Sequence, residues 1–195
     1  MSLITRRSAR ATTPDRVRPG ATLWLTGLPS AGKSTIAHAL GDFLVGEGQR
    51  VQVLDGDEVR PHLSAGLGFS RSDRDVNVAR IGWVAQLLAS HGVVVLVPVI
   101  APYAAARQAV REAHAAASVP FAEVYVSTAQ PVAEQRDVKG LYARARAGEI
   151  TGLTGVDDPY EAPQSPELVL DTVQLDLDAC VDLGHALVDQ LLEES

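Results

Sequence analysis

The residues best equipped for chemistry are the run Gly27-Leu28-Pro29-Ser30-Ala31-Gly32-Lys33-Ser34, continued by Thr35, and the carboxylate pair Asp55 and Asp57. Two glycines let a backbone wrap an anion closely. The lysine and hydroxyl that follow supply a cation for the β/γ oxygens of a nucleotide and a ligand for magnesium. The apolar Leu23-Trp24-Leu25 precedes the run, and Ile36, Ala37, Leu40, Phe43 and Leu44 follow it at helical spacing. The run therefore marks a strand-to-helix turn, where free N–H groups at a helix N-terminus meet phosphates. A glycine-rich turn with a stray lysine is the bland alternative, and the flanks argue against it. Asp55 and Asp57 end a second apolar run, Val51-Gln52-Val53-Leu54. Alone, Asp-Gly-Asp is mostly a solvated turn. After a phosphate loop and a β-α-β unit it falls at the carboxyl edge of an open sheet, where ligands bind.

Two further groups extend this site. Asp73 to Ser90 reads as a helix on which Arg74, Asn77, Ile81, Val84 and Leu88 share one arc, with Arg80 at its margin. The stripe is polar at its start and apolar afterwards, which puts Arg74 and Asn77 at the rim of a cleft, suited to an anionic or nucleotide-like ligand. From 138 to 163 hydrophobic periodicity fades, and glycines, prolines and the basic Lys139, Arg144 and Arg146 collect. So long an irregular stretch in a compact domain suggests a mobile lid or disorder. Phosphoryl transfer needs water excluded and charge neutralised, so a basic lid over the phosphate loop is expected.

These groups need a frame. Apolar runs at 21–26, 51–54, 93–97, 121–126 and 168–170 read as strands, and the stretches between and after them as helices, including 103–117, a short one at 131–137 and a closing one at 178–192. Strict alternation predicts an α/β fold of three layers around a five-stranded, mostly or wholly parallel sheet. The most apolar strand, Val93 to Val97, closed by Pro98, is expected at the centre. Residues 1–19 read as a flexible basic arm and 20–195 as a single domain, with the lid at about 138–163.

Composition narrows the function. A formal net charge of −7 argues against a general affinity for nucleic acid. No apolar run approaches the ~20 residues that cross a bilayer, and no apolar signal core follows Arg6-Arg7. The expectation is a cytoplasmic protein without a membrane partner. The single cysteine, Cys180, excludes an internal disulfide and shares a helical face with Leu183 and Leu187, which predicts core packing.

With these elements in order, the chain resembles the adenylylsulfate kinases, or APS kinases. The resemblance runs from about Arg18 to the final helix. It rests on the phosphate loop, on Leu54-Asp55-Gly56-Asp57 with Val59-Arg60, on Leu67-Gly68-Phe69-Ser70, and on Asp73-Arg74 with Asn77. It continues through Gln135-Arg136-Asp137-Val138-Lys139-Gly140-Leu141-Tyr142, Ala145-Arg146-Ala147-Gly148-Glu149-Ile150 and Pro159-Tyr160-Glu161-Ala162-Pro163. It implies the P-loop kinase fold, ATP and Mg²⁺ as cofactors, and a homodimer. The implied reaction moves the γ-phosphoryl of ATP to the 3′-hydroxyl of adenosine 5′-phosphosulfate (APS). By position, Asp57 resembles the residue that takes or orients the hydroxyl proton, with Asp55 supporting it and, beside Ser34, the magnesium shell. Arg60, Arg74, Asn77 and Ile100 match substrate-binding positions, and Phe69 the ring that stacks on the substrate adenine. Arg136 resembles the arginine against the ATP adenine, and Lys139 a lid lysine near the phosphates.

Several positions depart from that pattern. Pro29-Ser30 stands where serine and glycine are common, and Ile100-Ala101-Pro102 where Ile-Ser-Pro is usual, so no phosphoserine can form there. Ala79 and Ala143 replace basic residues, Thr151 replaces a lysine, and Leu153 occupies the place of a second stacking phenylalanine. Two rival readings remain at this point: a related kinase with another small hydroxyl acceptor, and a nucleotide-binding module that transfers nothing. Retention of Lys33, Ser34, Asp55, Asp57 and Lys139 together argues against the second.

Overall fold

The computed structural model describes residues 18–194. Most of the basic arm therefore lies outside the described residues. Five strands, β1 (Thr22–Thr26), β2 (Val51–Val53), β3 (Val94–Pro98), β4 (Phe121–Ser127) and β5 (Leu168–Asp171), form one sheet in the order β2-β3-β1-β4-β5. Every pairing is parallel. The helices are α1 (Lys33–Gly46), α2 (Gly56–Leu63), α3 (Arg71–Ala89), α4 (Ala104–Ala116), α5 (Gln130–Arg136), α6 (Leu141–Arg146) and α7 (Leu177–Glu193).

Side-chain alternation builds the three layers. Leu23 and Leu25 of β1 face a core shared with Ile36, Leu40 and Leu44 of α1 and Leu187 and Val188 of α7. Trp24, between them, faces the opposite core with Val78, Ile81 and Ala85 of α3 and Val110 of α4. The strands buried on both faces read as unbroken apolar runs, as parallel strands do.

Three expectations are corrected. The central strand is β1, not β3, which lies one place away and includes Pro98. A run buried on both faces suits any interior strand, so its composition does not fix its rank. On α7 the buried face is Cys180, Val181, Gly184, Leu187 and Val188, whereas Leu183 is exposed. The segment from 138 to 163 is not irregular throughout. It contains α6 and a bridge between Thr154 and Asp158, and it buries Tyr142, Leu153 and Thr154.

Candidate active site

The carboxyl ends of the strands open onto a cavity of about 940 Å³, at the upper end of the range for small-molecule sites. One end is the loop between β1 and α1. Gly32 adopts φ 104, and no side chain caps the N-terminus of α1. Its first N–H groups are left for an anion. A Cβ on Gly27 would lie 2.5 Å from the Val126 carbonyl oxygen, so only glycine lets the loop leave β1 this close to β4. Ser30 holds φ 60, a left-handed conformation that glycine takes without strain. This accounts for the glycine usual at that position, and shows that serine still permits the wrap.

Lys33 is buried and donates to the carbonyls of Gly27 at 3.0 Å and Leu28 at 2.7 Å. Burial, the largest influence, pushes its ammonium down to about 8 against the pull of Asp55 and Asp57. Pro29, Ser30, Ala31, Gly32, Ser34 and Thr35 line the cavity with it. Gly27 and Leu28 stand behind that lining and act through their carbonyls.

Asp55 ends the stretch after β2 and caps α2, accepting from the Asp57 N–H at 2.9 Å. That bond fixes both carboxylates at the cavity wall. Asp57 is exposed and forms an ion pair with Lys139 from the segment beyond α5. Hydrogen bonding to Asp57 holds the Lys139 ammonium above its usual range. Ser34 and Asp55 fit a magnesium ion that keeps most of its ligands as water and phosphate oxygens. Among the described residues no three His, Cys, Asp or Glu side chains converge to hold a metal alone.

The other end is built by α2, α3 and the turn between them. Ser70 caps α3 by accepting from the Asp73 N–H, which sets the first turn so that Arg74 and Asn77 face inward. Arg60 Nη2 donates to the carbonyls of Leu67 and Gly68, and its guanidinium lies 4.3 Å from the Phe69 ring centre. Phe69 is 64% exposed and lines the cavity. Asn77 Oδ1 is buried without a hydrogen-bond partner, an acceptor that a ligand donor would satisfy. Ile100 lines the same end, with Ala101 and Pro102.

Arg136 lies beside the α1 loop and donates to the Thr172 hydroxyl at 2.9 Å and the Thr172 carbonyl at 2.8 Å. Leu153, like Gly27 and Leu28, is an expected residue outside the cavity lining. It is 8% exposed and packs with Ala133 and Tyr142 in a small core of the lid segment, away from the cavity lining. Sequence reasoning missed Thr172, Leu175, Asp176 and Leu177, which close the wall near Arg136. They carry no motif, yet the turn after a parallel fifth strand must face the same cleft as the others, and that placement was the available signal.

The family model for adenylylsulphate kinase matches residues 19–171. That match covers most of the chain and every residue of the cavity up to the end of β5. The chain belongs to the adenylylsulphate kinase family. It is therefore an ATP-dependent kinase that phosphorylates adenylyl sulfate. The adenylyl-sulfate kinase of Synechococcus sp. (strain JA-3-3Ab) is 53% identical over 166 residues, covering 85% of this chain and 92% of that protein. That of Myxococcus xanthus is 54% identical over 159 residues, covering 82% and 84%. The APS kinase of Mycobacterium tuberculosis, in complex with AMPPNP and APS, superposes with a TM-score of 0.83 at 45% identity, covering 91% of this chain and 99% of that one.

Proposed function

We propose that the kinase divides its cavity into a donor end at the α1 loop and an acceptor end at Phe69, Arg74 and Asn77, with Asp57 between them. The observation that carries this reading is the shared wall: Lys33, Asp57, Phe69 and Asn77 line one continuous cavity. ATP lies with its phosphates on the N–H groups of residues 28–35 and its adenine against Arg136. Lys33 meets the β/γ oxygens, and Lys139 neutralises charge on the transferring group. APS stacks its adenine on Phe69, with Arg60 and Arg74 on its anionic groups and Asn77 and Ile100 beside it. The Asp57 carboxylate takes the proton from the 3′-hydroxyl as that oxygen attacks the γ-phosphorus, and ADP leaves. Asp55 keeps Asp57 in register, and with Ser34 it would hold magnesium, which when bound neutralises phosphate charge. With alanine at 101, transfer goes directly from ATP to the acceptor.

Residues 20–195 act as one domain, in the cytoplasm, with 138–163 as the lid. Among the described residues no helix is long and apolar enough to cross a membrane. Exposed Val76, Trp83 and Leu87 on one face of α3 support a homodimer, which sedimentation would detect. The functional reading is tested by coupled ADP release with APS against a panel of nucleosides and sugars. Turnover with APS above all others is expected; ADP release only with another hydroxyl compound would reject the acceptor.

A further inference from the structure

Behind the acceptor end lies a buried arginine that the reaction scheme above does not use. Arg107 of α4 is 3% exposed, and its guanidinium spends its three nitrogens on three different segments. Nε donates to the Glu123 carboxylate on β4, Nη1 to the Ala101 carbonyl at 2.7 Å, and Nη2 to the Glu161 carbonyl at 2.7 Å. Ala101 lines the cavity, and its φ of 41 puts a residue with a Cβ in the left-handed region. Such a conformation is costly and persists only where surrounding contacts enforce it. Glu161 belongs to the root of the lid segment and is tied to the same loop twice more. Its N–H donates to the Pro102 carbonyl at 2.8 Å, and its carboxylate accepts from the Ala104 N–H at 2.7 Å. Beside it the Tyr160 hydroxyl meets Thr26 Oγ1 at 3.0 Å, and Thr26 donates to the Ile100 carbonyl at 2.6 Å.

We propose that Arg107 is a positioning residue for the acceptor: by holding the carbonyls of Ala101 and Glu161 in one planar fork, it fixes the Ile100-Ala101-Pro102 wall and the root of the lid as a single unit. The proposal rests on the acceptor end assigned above. It differs from a plain fold-stabilising role for a buried ion pair, because only the two carbonyl bonds reach the cavity wall and the lid. Glu123 alone would satisfy the charge. Lysine can keep the charge beside Glu123 but cannot reproduce the fork.

The test is steady-state kinetics of wild type, Arg107→Lys, and Arg107→Lys combined with Ala101→Gly, varying APS and ATP separately. Losing the carbonyl bonds is expected to raise KM for APS about tenfold while KM for ATP stays within about twofold. Glycine takes the left-handed conformation without strain, so Ala101→Gly in that background is expected to bring KM for APS back by about threefold. Parallel rises in both KM values, an unchanged KM for APS, or no recovery with glycine would each make Arg107 a residue of the fold alone and overturn the proposal. Should Arg107→Lys not accumulate as folded protein, Arg107→Gln with Glu123→Gln removes both buried charges together and carries the same readings. Wild type that turns over ATP with another acceptor but not with APS would overturn the functional reading, and this proposal with it.

Discussion

At the proposed donor end, nearly every group that would face the phosphates is backbone or is pinned by backbone. The α1 N-terminus carries no side-chain cap, Lys33 is held by the carbonyls of Gly27 and Leu28, and the Tyr142 hydroxyl donates to the Pro29 carbonyl at 3.2 Å. At the acceptor end Arg74 and Asp57 are already engaged with the lid segment. Arg74 donates to the Gly152 carbonyl at 2.6 Å and to Thr154 Oγ1 at 3.2 Å, and lies 3.4 Å from the Asp158 carboxylate. Asp57 is paired with Lys139. A preformed phosphate cradle loses little freedom on binding, whereas the acceptor must exchange protein contacts for its own. Donor affinity should therefore respond to few positions, and acceptor affinity to many, including positions remote from the ligand.

The largest effect that would separate the two ends comes from Asp57. Asp57→Asn keeps the shape and loses the proton acceptor, so kcat is expected to fall by roughly 10²–10⁴ with KM for ATP unchanged. Stopped assays at saturating APS would show it. A matching loss of ATP affinity would mean that the ends are not independent. Lys33→Ala should cost somewhat less, on the order of 10²–10³ in kcat/KM, and should raise KM for ATP as well as lowering kcat. In the proposed site its charge meets the phosphates in ground and transition states alike. Normal ATP affinity in that variant would remove Lys33 from the cradle.

A pH series sharpens the donor end further. Burial lowers the Lys33 ammonium from 10.5 to about 8, and phosphates beside it would raise it again. Above about pH 8 the free protein must then take up a proton to bind ATP. The ATP Kd is expected to weaken about tenfold from pH 7 to pH 9, with proton uptake visible by calorimetry in buffers of different ionisation enthalpy. Lys33→Arg, which stays charged, should flatten the slope. The sign for folding runs the other way. Between about pH 8 and 10.5 the unfolded chain binds more protons at this lysine, so the free protein gains stability from it as pH rises through that window and carries the full burial penalty below it. A Kd independent of pH would show that Lys33 remains fully charged in the cradle.

The loop of the proposed donor end was legible because its sequence is local: eight consecutive residues between a strand and a helix place loop, cation and hydroxyl together. Asp55 and Asp57 were legible because the end of a parallel strand has one place to point. The acceptor end was readable only in part. Arg74 and Asn77 follow from α3 periodicity, but the Arg74 partners Gly152, Thr154 and Asp158 lie about eighty residues away, and no spacing rule joins them. The lid segment was misjudged as irregular for a similar reason. Its folded parts are short, and its small core of Ala133, Tyr142 and Leu153 is completed by α5, outside the segment. Arg107 escaped notice because an arginine in an alanine-rich helix reads as solvated until the strand behind it is known.

Leu153 gives the smallest effect and the sharpest division between the ends. Its place in the family pattern, where a second stacking phenylalanine is usual, suggests that Leu153→Phe would add a ring against the acceptor adenine. Such stacking is worth roughly 1–3 kcal/mol per base, and KM for APS would fall. The packing points elsewhere. Leu153 is buried against Ala133 and Tyr142, and its N–H donates to the Asp157 carboxylate at 2.7 Å. This holds the residue in a tight turn of the lid. A phenylalanine there must enlarge a space already filled, at a cost typically of about 1–3 kcal/mol. Because the Tyr142 hydroxyl also reaches Pro29, the strain would pass to the phosphate loop. The expected outcome is a lowered Tm, KM for APS unchanged or raised, and a modest rise in KM for ATP. Thermal melts and two-substrate kinetics on one preparation would report all three. A several-fold fall in KM for APS with Tm unchanged would instead assign Leu153 to the acceptor, and would require the turn at 152–157 to swing over the cavity when APS binds.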